Sequence, residues 1–462
     1  MTTSSFSSLS LKPELIENLS SLGFASMTPI QQESLPHVLK GRDVIAQGQT
    51  GSGKTVAFGL GLLQKLNVKR FRIQSLVLCP TRELADQVAK EIRRLARTTH
   101  NIKVLTLCGG MPFGPQIGSL EHGAHIIVGT PGRVEEHVRK GTLKLDNVET
   151  LVLDEADRML DMGFQEALDN ILGYVPDARQ TLLFSATFPD QIQKIAARVM
   201  VDPAMIKVES THSHASIEQK FYKVENYEHR LEALNLVLKR FAPETTVVFC
   251  NMKRDVDDVA DYLASEGFSA LALHGDLEQK QRDQVLVRFA NKSASVLVAT
   301  DVAARGLDIE SLDAVVNFQL SRDPEVHVHR IGRTGRAGNK GIAISFFEEK
   351  EGHRVAQMPL DHDPLGDPID LPDSKYLEEP AVKPSMATLQ IDGGKKQKVR
   401  PGDIVGALTG AQGIPGDTIG KIQLFDNTAY VAVKKSVAKQ ALKKLSEGKL
   451  KGRSFRVRLI RG

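Results

Sequence analysis

The sequence is poor in cysteine and in long apolar stretches, and both shortages limit the classes of protein that it can encode. The three cysteines, Cys79, Cys108 and Cys250, lie far apart in apolar, strand-like segments. Neither disulfide pairing nor metal-ligand spacing is indicated, which is typical of a reducing compartment. No apolar stretch approaches the roughly 18 residues of a membrane-spanning helix, and the first residues show no export signal. We therefore expect a cytoplasmic protein without a membrane partner.

The net charge is also small, +4 at pH 7, but its distribution along the chain is uneven. Residues 380–462 hold 17 Lys and Arg against 5 Asp and Glu, a local charge of +12, so residues 1–379 carry +4 minus +12, or −8. A basic tail on a mildly acidic body is typical of a module that binds a polyanion.

Short β-branched segments alternate with longer helical patterns through most of the chain. Near-continuous apolar strands of this kind indicate sheets buried on both faces, and therefore parallel α/β domains. The predicted strands lie at residues 75–78, 104–107, 126–128, 151–153 and 182–184 in the first half and at 246–249, 270–273, 295–299, 314–318 and 342–347 in the second.

Two polar segments divide the chain into three predicted domains. Residues 209–217 carry Ser and His without a period, and residues 361–384 hold seven acids and five prolines, too polar and broken to pack a core. The predicted domains are a first α/β domain at 1–208, a second at 218–360 and a basic domain at 385–462. The basic domain has the order βαββαβ of RRM-type RNA-binding modules, with strands at 387–391, 421–425, 429–433 and 455–460 and helices at 403–408 and 436–445.

A glycine-rich segment, Ala-Gln-Gly-Gln-Thr-Gly-Ser-Gly-Lys-Thr, occupies residues 46–55. Gly48 and Gly53 bracket four residues, so backbone N–H groups can converge on a polyphosphate without obstruction from Cβ atoms. Lys54 supplies a positive charge near the β and γ phosphates, and Thr55 a hydroxyl for Mg²⁺. The alternative is a plain glycine-rich turn. The predicted ATP contacts are Gly48, Gln49, Thr50, Gly51, Ser52, Gly53, Lys54 and Thr55.

A carboxylate pair, Asp154 and Glu155, ends an apolar strand about a hundred residues after the glycine-rich loop. An isolated pair of this kind is ordinarily a helix cap, but its place after a phosphate loop favours catalysis. Asp154 is expected to reach the Mg²⁺ shell and Glu155 to orient and deprotonate water. The two motifs together predict an ATPase that uses Mg²⁺.

The second α/β domain has no phosphate loop of its own, yet residues 329–338 put three arginines on a glycine-rich turn. An arginine cluster is ordinarily a solvated face. A guanidinium supplied across a cleft to the γ-phosphate explains this one well. Catalysis would then require the two domains to close on each other.

In this set and order the motifs resemble those of the DEAD-box RNA helicases, whose name spells out residues 154–157, over about residues 6–347. The resemblance implies two tandem RecA-like domains, RNA-dependent ATP hydrolysis and local unwinding of duplex RNA. For the nucleotide it implies adenine contacts by Phe6 and Gln31, a ribose contact by Asp308, arginine fingers Arg333 and Arg336, and coupling to unwinding by Ser185 and Thr187. For the RNA backbone it implies contacts by Thr81, Arg82, Gly109, Gly110, Thr130, Arg133, Gly275, Asp276 and Thr300.

One departure from the family pattern is Gln319-Leu320-Ser321, where the family often has Asp and Pro.

The basic βαββαβ domain narrows the resemblance to the bacterial DbpA group, which implies an rRNA-stimulated ATPase targeted to a 23S rRNA hairpin during large-subunit assembly. Where an RRM carries three aromatics on its third strand, residues 426–433 offer only Tyr430. Base stacking on the sheet should therefore be weak, and Tyr430 could equally pack the sheet. The predicted tail contacts are Lys395, Lys396, Arg400, Tyr430, Lys434 and Lys451.

Other functions stay open from the sequence: an ATP-gated RNA clamp, an assembly scaffold whose tail docks on rRNA, and a DNA translocase. Intact Glu155, Ser185 and Thr187 disfavour the clamp, since a clamp need not keep the hydrolytic set. The motif set resembles the RNA-specific branch, which disfavours the translocase.

Overall fold

The computed structural model describes residues 5–48, 51–208, 217–304, 312–335, 341–358, 365, 369–410 and 413–460. The described residues form two compact units, one up to residue 208 and one from residue 217 onward. The first unit is the first α/β domain, and the second contains the second α/β domain and the basic domain. Within the described part of the chain, no helix has the length and apolar character needed to cross a membrane.

The first α/β domain is a parallel sheet of strand order β3-β4-β2-β5-β6-β1-β7. Its strands are β1 Val44–Gln47, β2 Ser75–Leu78, β3 Val104–Leu107, β4 Ile126–Gly129, β5 Thr150–Asp154, β6 Gln180–Ser185 and β7 Ala204–Lys207. Its helices are α1 Pro13–Ser21, α2 Pro29–Leu39, α3 Lys54–Lys65, α4 Arg82–Leu95, α5 Phe113–Glu121, α6 Pro131–Arg139, α7 Ala156–Asp161, α8 Gln165–Leu172 and α9 Asp190–Val199.

Alternate residues of one strand enter different cores, which is why this sheet needs helices on both faces. Val77 of β2 packs in one hydrophobic cluster, and its neighbours Leu76 and Leu78 pack in another. All three are fully buried.

The second α/β domain repeats this architecture with strand order β10-β11-β9-β12-β13-β8, again parallel throughout. Its strands are β8 Ile217–Lys223, β9 Thr246–Cys250, β10 Ala270–Leu273, β11 Val296–Thr300, β12 Ala314–Asn317 and β13 Gly341–Phe347. Its helices are α10 Tyr227–Phe241, α11 Lys253–Ser265, α12 Gln279–Ala290, α13 Asp301–Ala304, α14 Pro324–Ile331 and α15 Gly352–Val355.

The basic domain is a small antiparallel sheet with two helices on one face. Its strand order is β15-β16-β14-β17. Its elements are β14 Met386–Ile391, α16 Pro401–Thr409, β15 Ile419–Leu424, β16 Ala429–Lys434, α17 Ala438–Glu447 and β17 Val457–Ile460.

The predicted fold class is confirmed: two parallel α/β domains are followed by a βαββαβ domain. Each predicted strand coincides with an observed one, and their ends differ by at most two residues. The sequence patterns missed β1, β7 and β8. The last two are edge strands that mix polar and apolar residues, so they show no continuous apolar run.

Residues 361–384, predicted to be too polar to pack a core, lie against the second α/β domain from residue 369 onward. Lys239 Nζ donates to the Leu377 carbonyl (2.7 Å), and the Arg240 guanidinium lies 5.0 Å from the Tyr376 ring centre. Ala381 is buried in the core of the second α/β domain. The segment makes no core of its own but follows α10, so its acids and prolines stay on the outside. The linker predicted at 209–217 lies, except for its last residue, outside the described residues.

Candidate active site

The predicted site residues of the first domain lie along one edge of its sheet. Because all strands are parallel, their carboxyl ends share that edge. In spatial order the edge carries Gly109 after β3, Thr130 after β4, Thr81 after β2, Asp154 at the end of β5, Ser185 at the end of β6 and Gly48 after β1. The residues predicted to bind RNA thus occupy one half, and those predicted to bind the nucleotide occupy the other.

The glycine-rich loop between β1 and α3 is folded around its own lysine. The Gly48 N–H donates to the Ser185 carbonyl (3.0 Å), and Lys54 Nζ donates to the Gly48 carbonyl (2.6 Å). Gly53 has a φ of +94°, and α3 begins at the next residue. A helix amino end exposes N–H groups and a positive dipole, so the loop can bind a polyphosphate. Gln49 and Thr50 lie outside the described residues.

Gln31 connects the segment before β1 to this loop. Its Oε1 accepts from the Thr28 N–H (2.9 Å) at the start of α2, and its Nε2 donates to the Gly53 carbonyl (3.0 Å). A Cβ atom at Gly53 would lie 2.4 Å from Nε2, so the contact itself requires glycine there. The amide predicted to recognise adenine is therefore held against the phosphate loop.

Phe6, the other predicted adenine contact, is part of the core. It is 3% exposed and packs edge-on against Phe24, with ring centres 6.3 Å apart. The structure therefore gives Phe6 a packing role, and its contact with adenine stays a prediction.

Asp154 has a buried oxygen that is open to a ligand. The residue is 3% exposed, and its Oδ1 has no hydrogen-bond partner among the described residues. Burial raises the pKa of this carboxyl to about 7, although the Lys54 charge acts in the opposite direction. Such an oxygen fits Mg²⁺, which one or two carboxylates bind together with phosphate oxygens and water. No group of three or more His, Cys, Asp or Glu in the described part of the chain could hold a metal ion by itself.

Glu155 follows in a left-handed conformation with a φ of +51°. Its Oε2 accepts from Arg158 Nη1 at 2.9 Å, and both side chains are 5% exposed. Positive φ is uncommon for residues other than glycine and clusters at functional sites. The carboxylate is thus held beside Asp154 in a buried position where a general base could act.

Asp157 joins this segment to the end of β6. The Asp157 N–H donates to Ser185 Oγ (3.3 Å), and Asp157 Oδ2 accepts from both the N–H (3.0 Å) and the Oγ1 (2.9 Å) of Thr187. Burial alone would raise the pKa of Asp157, but the Arg158 charge and these hydrogen bonds outweigh it and lower the pKa. Asp157 is therefore bonded to both residues predicted to couple hydrolysis to unwinding, through its backbone N–H to Ser185 and through its carboxylate to Thr187.

The RNA half of the edge is built from helix starts and tight turns. Thr81 caps α4 by accepting from the Leu84 N–H (3.3 Å), and Thr130 precedes α6. Arg133 Nη1 donates to the Met111 carbonyl (2.8 Å) in the turn that follows Gly109 and Gly110. Arg82 extends from the start of α4 and lies 4.0 Å from Asp86. These groups present hydroxyls, guanidinium groups and exposed glycine backbone, which suit sugar and phosphate contacts.

The second domain brings its predicted RNA contacts to the same edge of its own sheet. Gly275 and Asp276 follow β10, and Thr300 ends the neighbouring strand β11. Thr300 Oγ1 accepts from the Ala303 N–H (3.4 Å), and Asp276 is paired with Lys253. Arg333 follows α14 and is 6% exposed. Asp308 and Arg336 lie outside the described residues.

Sequence reasoning missed the role of Arg330, the first of the three clustered arginines. It is 1% exposed, and its guanidinium donates to both oxygens of Asp301 (2.7 Å each), to Asn251 Oδ1 (2.9 Å) and to the Gln319 carbonyl (2.7 Å). Arg330 therefore organises the strand ends. The sequence signal was its place in the segment predicted as a glycine-rich turn, whereas the structure places Arg330 in the last turn of α14. Clustering in the sequence cannot separate a structural arginine from a catalytic one.

Gln319, at the departure from the family pattern, also has partners. Its Oε1 accepts from the Asn251 N–H (2.8 Å), and its Nε2 donates to Asp255 Oδ2 (2.8 Å). The amide thus satisfies groups on two neighbouring segments.

The predicted basic contacts of the tail fall into two groups. At one end of the basic domain, Lys396 pairs with Asp426 (3.5 Å), and Lys451 Nζ lies 3.4 Å from Asp403. Lys395 and Arg400 are exposed in the same loop as Lys396. We call Lys395, Lys396, Arg400 and Lys451 the basic rim. Lys434 lies at the other end of β16 and pairs with Asp417 (3.3 Å).

Tyr430 requires a correction, because it is not available to stack on a base in this structure. It is 4% exposed and packs edge-on against Phe425, with ring centres 5.6 Å apart. Of the two readings of Tyr430 from the sequence, the packing one is the one observed.

Residues 28–195 match the DEAD/DEAH box helicase family, residues 228–338 the helicase conserved C-terminal domain and residues 388–459 the DbpA RNA binding domain. The chain is 54% identical over 463 residues to the ATP-dependent RNA helicase DbpA of Escherichia coli K12, covering 99% of each protein. The chain belongs to the DEAD-box family. It is an ATP-dependent RNA helicase with a C-terminal RNA-binding domain of the DbpA type.

Other DEAD-box helicases share the two α/β domains. Helicase CshA of Bacillus cereus ATCC 10987 is 47% identical over 358 residues, 78% of this chain and 68% of that protein. Among solved structures, S. cerevisiae Dbp5 bound to RNA and ADP BeF3 has a TM-score of 0.69 and 32% identity, covering 76% of this chain and 92% of that one.

Proposed function

We propose that this helicase unwinds structured RNA locally while its C-terminal domain is anchored on 23S rRNA in a large-subunit precursor. The observation that carries the proposal is the exposed basic rim on a domain that matches the DbpA RNA binding domain. Basic side chains supply the salt-sensitive, phosphate-directed part of RNA affinity. A sheet face closed to bases is consistent with RNA binding through this rim.

For the nucleotide half we propose a division of labour among the residues that gather there. The glycine-rich loop, Lys54 and Gln31 hold the phosphates and the adenine, while Asp154 and Thr55 hold Mg²⁺. When bound, the ion neutralises the phosphate oxygens. Glu155 orients water and accepts its proton.

Arginine fingers Arg333 and Arg336 stabilise charge on the transferred phosphoryl group, and Asp308 contacts the ribose. Asp157 is hydrogen-bonded to Ser185 and Thr187, so a shift of the segment that carries Asp157 moves the end of β6. Hydrolysis is coupled to RNA binding through this movement. The residues of the RNA half move with the end of β6. They contact the sugars and phosphates of RNA largely independently of the base sequence.

The test is steady-state ATP hydrolysis by the full chain with poly(U), total mRNA and 23S rRNA. The variant Lys395→Gln/Lys396→Gln/Lys451→Gln removes three rim charges, and Lys421→Gln/Lys439→Gln/Lys443→Gln removes three other exposed charges of the same domain. We expect the rim variant to raise the 23S rRNA concentration for half-stimulation at least tenfold and to lower the salt slope of log affinity by about two. The control should stay within about twofold.

Equal stimulation of the wild type by every RNA would contradict 23S targeting while leaving the helicase intact. Equal losses in the two triple variants would show that total charge, and not the rim, determines binding.

A further inference from the structure

The two central strands of the basic domain's sheet are buried on their outer face, whereas Arg458 on the edge strand β17 is exposed. Along β14, Ala387, Leu389 and Ile391 enter the core under the two helices, so the intervening Thr388 and Gln390 lie on the opposite face. In the antiparallel register they stand across from Ala432 and Tyr430 of β16. These four residues are only 0% to 4% exposed, although both helices of the βαββαβ fold pack on the other face. Within the domain, Phe425 packs against Tyr430.

The cover comes from the second α/β domain. Asn291 and Ser293 form the turn after α12, and both reach Thr388 Oγ1: Asn291 Nδ2 donates at 3.2 Å, and Ser293 Oγ lies at 2.7 Å. Asp283 on α12 acts on Tyr430, where burial first and the Asp283 charge second raise the pKa of the hydroxyl. The turn after α12 therefore contacts the sheet face at Thr388, and α12 carries a charge close enough to act on Tyr430.

This contact lies away from the RNA edge of the second domain. Residues 291–293 precede β11, and Thr300 ends that strand, so about 15 Å of strand separates the two. Lys383, just before β14, donates to the carbonyl of Gly267 at the start of the neighbouring strand β10. The chain thus enters the basic domain at the amino ends of these strands, opposite the end that carries Gly275 and Thr300.

We propose that the outer sheet face of the basic domain is a permanent docking surface for the second α/β domain, and that RNA bound to the basic rim is thereby held at a fixed place relative to that domain. An RNA that used the sheet face would first have to break buried hydrogen bonds at Thr388, which is costly. The rim needs no such step, since its lysines are exposed in the docked arrangement. The anchoring role rests on the proposed function, whereas the docking does not.

The docking is tested by the double variant Ser293→Cys/Thr388→Cys in the full chain. The two hydroxyl oxygens are 2.7 Å apart, so sulfur atoms in their places would have to approach by only about 0.7 Å to reach the S–S bond length of about 2.0 Å. The three natural cysteines are buried. We expect the cross-link to form under mild oxidation, with and without 23S rRNA and an ATP analogue. The oxidised protein should keep 23S-stimulated hydrolysis and unwinding within twofold of the reduced protein.

Two results would overturn the proposal: failure of the cross-link to form, or loss of unwinding on oxidation that reductant restores. The single variants Ser293→Cys and Thr388→Cys control for oxidation elsewhere. Absence of 23S stimulation in the wild type would remove the proposed function but leave the cross-linking result standing, so the two failures are distinguishable.

A second variant, Thr388→Arg, places a long charged side chain at a fully buried position and should release the domain. We expect affinity for a 23S rRNA fragment and poly(U)-stimulated hydrolysis within twofold of wild type. Unwinding of a duplex set at a fixed distance from the anchor should fall at least fivefold and lose its dependence on that distance. Thr388→Val, which keeps the shape of the side chain, should lose less of the unwinding activity and of its dependence on distance. Unchanged distance dependence in a folded Thr388→Arg protein would contradict the proposal.

Discussion

Asp154 in the first α/β domain and Arg330 in the second lie at corresponding edges of two similar sheets. Both are almost fully buried, and both have an ionisable side chain. Arg330 donates from all of its guanidinium nitrogens to neighbours, whereas Asp154 leaves Oδ1 without a partner among the described residues. A buried charge with every bond made needs no ligand to offset its burial. A buried charge with an open atom is unfavourable by itself, which indicates that a ligand completes it.

The largest predicted effect on the free energy of unfolding comes from removing the Arg330 side chain, whose guanidinium hydrogen bonds are made. Arg330→Ala leaves Asp301 and Asn251 without their donor and should cost about 3–5 kcal/mol of unfolding free energy. Urea unfolding of the full chain, followed by a fluorescent label on the second domain, measures it. Arg322→Ala, at an exposed position, should change stability by less than about 0.5 kcal/mol. A small loss at Arg330 would show that the network is not structural.

Substitution of Asp154, the residue with the unpartnered oxygen, should increase the stability of the fold instead of decreasing it. The folded pKa of Asp154 is about 7, above an unfolded value of about 3.9, so the ionised carboxylate destabilises the fold increasingly as the pH rises between these values. Asp154→Asn should therefore stabilise the first domain by up to about 4 kcal/mol at pH 8 and by about a third of that at pH 5.

ATP hydrolysis should fall about 100-fold or more in the same variant, because it loses the carboxylate proposed to hold Mg²⁺. Unfolding in EDTA at the two pH values measures the stability arm. A pH-independent gain would contradict the assignment of the raised pKa to this carboxyl.

Gly53→Ala tests the glycine-rich loop, which lies at the same edge of the sheet as Asp154. The new Cβ would lie 2.4 Å from Gln31 Nε2, and the alanine would have to adopt a φ of +94°. We therefore expect about 1–3 kcal/mol of destabilisation and weaker ATP binding. Gly141→Ala is matched, because Gly141 has a φ of +69° with nothing within 4 Å of a new Cβ. A loss no larger than that at Gly141 would mean that the contact with Gln31 is unimportant.

The smallest effect on stability should come from Thr187→Ala, which removes one hydroxyl bond to Asp157 (2.9 Å), about 1 kcal/mol. Hydrolysis should stay within a few-fold of wild type while unwinding falls further. Parallel hydrolysis and unwinding assays measure the ratio, with Thr98→Ala on an exposed site as the control. A constant ratio would contradict coupling through Thr187.

The elements and the site edge were predictable from the sequence because local patterns encode them. Apolar runs mark β2 and β5, and the residues after them carry the motifs. Tyr430 and Arg330 could not be assigned in the same way. The cover of the outer sheet face comes from residues 97 positions away in the chain, and no local pattern records such a partner. Polar composition likewise did not reveal that residues 369–384 follow α10, since packing against another element needs only a few apolar side chains.

The order of strands in the first domain has a practical consequence for engineering. The strands β2 and β5 are hydrogen-bonded neighbours, so the loops predicted to contact RNA and those predicted to bind ATP meet at one strand spacing, about 4.8 Å. The loops after β3 and β4 lie on the side of that junction away from Asp154 and the glycine-rich loop. They can be exchanged for loops of different binding preference without touching the hydrolytic side chains, whereas an insertion in β2 or β5 would disturb both.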